Sequence, residues 1–336
     1  MPTEVSAGGA SAPQTVMEHA ARVVDILRAH DQILVSGHIN PDGDAVGSSS
    51  AMVWLLRRMG KQAALYNATG VPEYLHWMPL PGEAYRYVSR LPFKPALLVS
   101  LDCGDSWCLG KELVGMLPQL ACVNVDHHQG NPRFGTLYNW IDPRMAATGQ
   151  MVAALADAAG IPLDGELAAC VYVALVTDTG SFSHGNTTSD VFRLTARLMD
   201  NGLDTVSIRN QLDNQWSMSK TRLWGRLLQQ IRLEREGTVG VCTVTMAELH
   251  EAGARKEDLE GFVEQIRRIR GVRVAMMVRE DAPGRCKVSL RSTGPDDVRV
   301  TAAQFGGGGH KNAAGVTMDM SIDETVSTLL PALTLN

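Results

Sequence analysis

The sequence predicts an α/β protein in two parts. A mainly parallel sheet flanked by helices is expected over residues 15–215. A smaller α/β unit follows over 238–336, with a cleft between the two. Three observations predict this. Continuous apolar runs at 33–35, 96–101 and 121–125 alternate with segments of helical apolar spacing, the pattern of a parallel sheet covered on both faces. The length of 336 residues corresponds to two domains of ~100–200 residues each. From residue 238 the texture shifts to alternating strands separated by turn residues.

The elements follow in order. Residues 15–30 place Val16, Ala20, Val23, Val24 and Leu27 at helical spacing, so a helix opens the fold. Ile33-Leu34-Val35 is a short strand that stops at Ser36-Gly37. Residues 45–59 form a helix that Gly60 ends, and 62–66 the next strand. The strand at 96–101 ends at Asp102, and the strand at 121–125 ends at Asp126. Helices fit 149–159 and 167–176. Residues 189–231 are largely helical with a break near Gly202, and 216–237 are expected as a helical linker. Beyond it come a strand at 239–245, a helix at 258–269, and strands at 272–278 and 286–290 around a turn at Ala282-Pro283-Gly284. A strand at 315–318 and a helix at 321–333 close the chain. Residues 1–14, rich in Ala, Gly, Ser and Pro, read as a loose tail.

Composition excludes several function classes. The chain is 45% hydrophobic and 20% charged, ordinary for a globular protein with a sizeable core. Its net charge of −5 provides no global field toward long nucleic acid or an anionic membrane. A small anionic substrate must therefore meet a local positive site. The six cysteines (Cys103, Cys108, Cys122, Cys170, Cys242, Cys286) form no C-x-x-C pair and read as reduced thiols. The sequence shows no secretory leader and no apolar run of the ~18–20 residues that span a bilayer. A soluble, cytoplasmic protein is expected.

Asp and His residues gather where apolar runs end. They are His38, Asp42 and Asp44 in the first motif, then Asp102, then Asp126-His127-His128, then Asp178. Ligands in parallel sheets sit at the carboxyl ends of strands, and these residues lie there. Individually each has a plain explanation. Asp44 is placed to cap the helix that follows it, and Asp102 and Asp178 to end a strand and a helix. Together, His38, Asp42, Asp44, Asp102, His127 and Asp178 supply two nitrogens and four carboxylates, too much negative charge to bury without cations. Mixed oxygen and nitrogen donors without thiolate suit Mn²⁺, Mg²⁺, Fe²⁺ or Co²⁺ better than structural zinc. A carboxylate shared by two ions sets them roughly 3.5–4 Å apart, the spacing of two-metal hydrolysis. That chemistry points to hydrolysis of a phosphate ester.

The second unit carries Gly306-Gly307-Gly308-Gly309-His310-Lys311. Contiguous glycines let backbone N–H groups crowd round an anion, and His310 and Lys311 add donors. No Ser or Thr follows the lysine, so this is not a Walker A loop. Arg291, at a strand end, is a second phosphate clamp. Arg267, Arg268, Arg270 and Arg273 form a basic cluster, read as a solvated helix end, with nucleic-acid contact as the alternative.

Five motifs in this order resemble the DHH phosphoesterase family. They are GHINPDGDAVGS at 37–48, SLDCGD at 100–105, NVDHHQGN at 124–131, VTDTGSF at 176–182 and GGGGHKNAAG at 306–315. The resemblance runs from about residue 15 to the C-terminus, with the last motif in the DHH-associated substrate domain. It implies two Mn²⁺ per chain, with Mg²⁺ or Co²⁺ as substitutes. His38, Asp42 and Asp102 would hold one ion. Asp44, Asp102, His127 and Asp178 would hold the other. His128 would face the scissile phosphate as acid or charge stabiliser, oriented by Asp126. Gly308, Gly309, His310 and Arg291 would grip the substrate's terminal phosphate. The compact two-domain form resembles the nanoRNase type, which cleaves very short oligoribonucleotides and dephosphorylates adenosine 3′,5′-bisphosphate. Short RNA or a dinucleotide is the expected partner, without long nucleic acid or membrane, and a homodimer is left open. The rival readings are a cyclic di-adenylate phosphodiesterase, a manganese pyrophosphatase and, last, a nucleotide-sensing module without turnover.

Overall fold

A computed structural model describes residues 15–335, so the tail expected at 1–14 lies outside the described residues. The chain divides into two compact units, Met1–Gln215 and Trp216–Asn336.

The first unit opens with α1 (Val16–Ala29), which Thr15 and Glu18 start as a reciprocal capping box. There follow β1 (Ile33–Ser36), α2 (Gly43–Arg58), β2 (Ala63–Tyr66), β3 (Ala84–Tyr85), β4 (Leu97–Leu101), α3 (Lys111–Met116), β5 (Ala121–Asp126) and β6 (Tyr138–Ile141). Four helices complete it: α4 (Thr148–Ala159), α5 (Gly165–Asp178), α6 (Ser189–Asp200) and α7 (Thr205–Asp213). The six strands lie in the order β3-β2-β1-β4-β5-β6, and every pairing is parallel. Strand order reverses between β1 and β4, which makes their carboxyl ends the switch point where such sheets bind ligands.

Alternation along the strands serves two cores. Ile33, Val35, Leu97, Val99, Val123 and Val125 face the helical layer that contains Leu27, Leu55, Val152 and Val171. Leu34, Leu98 and Cys122 face the other way, against Leu109 and Leu113. Apolar register gives out at the strand ends, where Ser36, Ser100 and Asn124 lie side by side and fully buried. The strands β3 and β6 escaped the sequence reading. One has two residues, and the other, Tyr-Asn-Trp-Ile at the sheet edge, lacks a continuous apolar run.

The second unit contains α8 (Met218–Gln230), β7 (Arg232–Glu234), β8 (Val239–Val244), α9 (Met246–Glu251), α10 (Phe262–Arg267), β9 (Val274–Ala282) and β10 (Arg285–Ser292). It ends with α11 (Val298–Gln304), β11 (Gly308–His310), β12 (Ala313–Met318) and α12 (Ile322–Ala332). Its sheet runs β11-β12-β10-β9-β8-β7, antiparallel except for β8 with β9. Residues 216–237, expected as a helical linker, form the helix α8 and also β7, and they pack into this unit. Leu223, Trp224 and Leu227 are buried with Phe262 and Met277. The helix expected at 258–269 is split, because Gly261 adopts φ +82° between a 3-10 turn at Lys256–Leu259 and α10.

All six cysteines are unpaired, and five are buried. Among the described residues no helix is long and apolar enough to cross a membrane.

Candidate metal centre

The loop after β1 supplies His38, and α2 begins immediately beyond it. Asp42 is the N-cap of α2: its Oδ1 accepts from the backbone N–H of Asp44 (3.0 Å) and Ala45 (3.1 Å). In the sequence alone Asp44 is a candidate for this cap. That side chain turns away instead and caps a different helix. The Thr148 N–H donates to Asp44 Oδ2 at 2.6 Å and the Gly149 N–H to Oδ1 at 3.0 Å, while Ala147 at the N-cap of α4 provides no side-chain acceptor. The positive end of α4 thus supports a carboxylate that is 1% exposed.

Such a crossing requires α2 to approach α5 closely. A Cβ on Gly43 would lie 2.3 Å from Thr177 Cγ2, and one on Gly47 would lie 2.7 Å from the Cys170 carbonyl oxygen. Glycine at these two positions lets the start of α2 meet the end of α5, where Asp178 stands.

Asp102 follows β4 with φ +56°, a left-handed conformation that aspartate adopts more readily than most residues. It is 2% exposed. Its Oδ2 lies 3.7 Å from His38 Nε2, and its Oδ1 lies 3.4 Å from His127 Nε2. His38 Nε2 is also 3.7 Å from Asp42 Oδ1. His127 Nε2 is 3.7 Å from both Asp44 Oδ2 and Asp178 Oδ2. The structure therefore brings together all six residues expected as ligands. Two donor groups result, His38–Asp42–Asp102 and Asp44–His127–Asp178, and a third joins Asp102, His127 and His128. Within each group the donor atoms lie within 4.8 Å of one another.

The imidazoles are set as ligands are. His38 Nδ1 contacts the Ile39 carbonyl at 2.9 Å, and His127 Nδ1 the Met145 carbonyl at 3.2 Å. A carbonyl can only accept, so each Nδ1 carries the proton and each Nε2 faces the carboxylates. The Nε2–oxygen separations exceed a hydrogen bond, as expected of atoms that converge on a common partner.

Burial, reinforced by the charges of Asp102, Asp178 and Asp42, pushes the Asp44 carboxyl well above the usual carboxylate range. Burial and the charges of Asp102 and Asp42 raise Asp178 to about 6. Burial alone would lower His127 and His38, but the surrounding carboxylates outweigh it and raise them to about 10 and about 9. Without a cation, protons must neutralise this pocket. Four acidic oxygen donors, two correctly presented nitrogens and no thiolate fit hard or borderline divalent cations.

His128 and Asp126 stand beside these groups. Asp126, fully buried, accepts from His128 Nδ1 at 2.7 Å and from Asn131 Nδ2 at 2.6 Å. Hydrogen bonding to Asp126 raises His128, and His128 in turn helps lower Asp126 against its burial. Sequence reasoning missed the supporting residues. Asn131 and Thr148 bind the acidic residues directly, and Asn186 Nδ2 reaches Asp178 Oδ2 at 3.3 Å and the Ala146 carbonyl at 2.9 Å. Asn131 lies inside the NVDHHQGN motif at 124–131, but Thr148 and Asn186 carry no signal without the fold.

In the second unit, Gly308, Gly309 and His310, expected in an anion-binding glycine loop, form the short exposed strand β11. Gly309 presses on β12, since a Cβ there would lie 2.4 Å from the Ala313 carbonyl oxygen. Arg291, Ala313 and His310 are register partners across β10, β12 and β11, so Arg291 and His310 share one face of the sheet. Arg291 Nε donates to Glu264 Oε1 at 2.6 Å. Arg273 leaves the expected solvated basic cluster: it grips buried Asp296 through two bonds of 3.0 and 2.7 Å.

Comparison with known proteins agrees with this architecture. Residues 32–175 match the DHH family, N-terminal domain, and residues 238–333 match the DHHA1 domain. A Thermus thermophilus protein named bifunctional oligoribonuclease and PAP phosphatase NrnA is 34% identical over 313 residues, 93% of this chain and 92% of that protein. The crystal structure of an exopolyphosphatase-related protein from Bacteroides fragilis superposes with a TM-score of 0.86 at 26% identity, covering 94% of this chain and 95% of the other. RecJ from Thermus thermophilus, solved in complex with Mn²⁺, shares the fold with a TM-score of 0.54 at 16% identity, over 96% of this chain and 55% of RecJ. With both domains matched in order and a relative 34% identical across 93% of its length, the protein belongs to the DHH family of phosphoesterases.

Proposed function

We propose that the protein uses two divalent cations, Mn²⁺ first among them, to hydrolyse very short oligoribonucleotides to nucleoside monophosphates and adenosine 3′,5′-bisphosphate to AMP. The observation that carries this reading is Asp102. One buried carboxylate divides its two oxygens between His38 on one side and His127 on the other. The substrate class is supported by the name of the 34%-identical relative, whose length this chain nearly matches.

His38, Asp42 and Asp102 would hold one cation, and Asp44, Asp102, His127 and Asp178 the second. When bound, the cations supply positive charge to phosphoryl oxygens and lower the pKa of water. The remaining work falls to the chain. Thr148 and Gly149 hold Asp44 in place, and the carbonyls of Ile39 and Met145 keep both Nε2 atoms turned inward. Asp126 fixes His128 through Nδ1, which leaves Nε2 to donate a hydrogen bond to a phosphoryl or leaving-group oxygen. Gly308, Gly309, His310 and Arg291 would hold the substrate's terminal phosphate, and a fixed grip on one end favours short chains.

The test is a substrate panel with Mn²⁺: pApA, a 24-nucleotide RNA and adenosine 3′,5′-bisphosphate. Rapid release of AMP from the dinucleotide and the bisphosphate, with slow attack on the long RNA, is expected. Equal turnover of dimer and long RNA overturns the length preference, and no product at any Mn²⁺ concentration overturns the reading as a whole.

A further inference from the structure

We propose that Thr148 is a positioning residue that decides which oxygen of Asp102 serves which cation. The inference rests on the two-cation reading above. Thr148 is fully buried at the first turn of α4. Its Oγ1 donates to Asp102 Oδ1 at 3.1 Å while its backbone N–H donates to Asp44 Oδ2 at 2.6 Å. One residue therefore touches the shared carboxylate and a carboxylate of the second donor group.

The need for such an anchor follows from the geometry of Asp102. Rotation about its last side-chain bond is soft, because torsions onto a planar carboxylate have broad minima. Its neighbours His38, His127 and His128 stand at 3.4–3.7 Å, too far to fix that angle by hydrogen bonds. Asp102 also sits in the left-handed region, just past the end of β4. The Thr148 hydroxyl donates to Oδ1 at 3.1 Å, closer than any of the three imidazoles. It holds Oδ1 on the side of His127 and leaves Oδ2 to His38. The hydroxyl belongs to the first residue of a helix whose next N–H also binds Asp44, so both carboxylates are referenced to one rigid element.

Replacing the hydroxyl by a methyl group tests this directly. Mn²⁺ is titrated into metal-free protein and the free ion is followed by its electron paramagnetic resonance signal. The wild type takes up two ions. Thr148→Val keeps shape and the backbone N–H, and is expected to weaken at least one ion about tenfold or more. Thr148→Ser restores the hydroxyl and is expected to bind within about threefold of the wild type. Circular dichroism and melting of the metal-free variants report the fold independently, and Thr148→Ala provides a second hydroxyl-free variant should valine not be accommodated. Equal affinity and stoichiometry in wild type and Thr148→Val, or a serine variant as weak as the valine one, overturns the role of the hydroxyl and leaves the two-cation reading standing. A wild type that binds no Mn²⁺ overturns both.

Discussion

His128 Nδ1 lies 2.7 Å from Asp126 Oδ1, and the other oxygen of that fully buried carboxylate is held by Asn131 at 2.6 Å. Two donors thus satisfy a charge that burial alone would expel. The pair orients the His128 ring, and Asp126 itself belongs to none of the three donor groups. Asp126→Asn is expected to lower kcat roughly 10–100-fold while the number of bound cations stays at two. Steady-state kinetics beside a Mn²⁺ titration separates the effects. Loss of cations in parallel with kcat would show that Asp126 supports the metal groups and not His128.

Asp102 and His38 make a contrasting pair. Asp102 belongs to donor groups on both sides, whereas His38 belongs to one. Asp102→Ala is expected to lose both cations and at least about a thousandfold in turnover, and His38→Ala to weaken one ion only. The two variants are compared by cation stoichiometry at saturating substrate. Retention of both ions by Asp102→Ala contradicts the shared role.

The sequence made the first unit's strands legible because β1, β4 and β5 are buried on both faces and therefore continuously apolar. Asp102 and Asp126 were legible for the same reason, since each follows an apolar run at its end. What could not be read were contacts made across the fold. Asp44 looks like the cap of α2 in the chain but caps α4, 104 residues away. Thr148 and Asn186 look like ordinary helix and loop residues until α4 and α5 meet α2. In the second unit, the helix α8 is legible from its amphipathic pattern, but that pattern does not reveal that Trp224 packs on Phe262 with ring centroids 5.2 Å apart.

Arg291 and His310 share a face of the second sheet through Ala313. Their predicted role is to hold a phosphate, so single alanine substitutions should raise KM about tenfold with kcat for the shortest substrate and cation content little changed. Arg291 Nε is paired with Glu264 at 2.6 Å and its Nη1 donates to the Leu290 carbonyl at 3.0 Å, which leaves Nη2 to meet an anion. Measurement of KM on pApA decides the matter. A fall in kcat at constant KM would place these residues elsewhere in the reaction.

Packing between α2 and α5 sets the position of Asp44 relative to Asp178. A Cβ on Gly47 would meet the Cys170 carbonyl oxygen at 2.7 Å and the Ala174 nitrogen at 2.9 Å, both backbone atoms that cannot rotate away. Gly47→Ala is expected to destabilise the protein by about 1–3 kcal/mol and to weaken cation binding by separating the helices. Urea unfolding, followed by the same Mn²⁺ titration, measures both. Unchanged stability would mean that the helices can separate without cost.

Stability of the metal-free protein should fall as pH rises. His127 and His38, raised to about 10 and about 9 against burial by the carboxylates around them, bind protons more tightly folded than unfolded. Their stabilising contribution is complete below the unfolded value of about 6.5 and is lost as pH climbs through 9 and 10. Asp178, raised to about 6 chiefly by burial, and Asp44, raised in the same way, also hold protons that the unfolded chain has released. Stability linked to them therefore declines as pH rises above the unfolded carboxyl value of about 4. All four contributions have the same sign. Cations take the place of those protons, so their effect has the opposite pH dependence. Calorimetry of EDTA-treated protein between pH 6 and 8.5 should show a falling Tm, and the gain in Tm on adding Mn²⁺ should grow over the same range. A metal-free Tm that rises with pH, or a Mn²⁺ gain independent of pH, would contradict a pocket that holds more protons folded than unfolded until cations arrive.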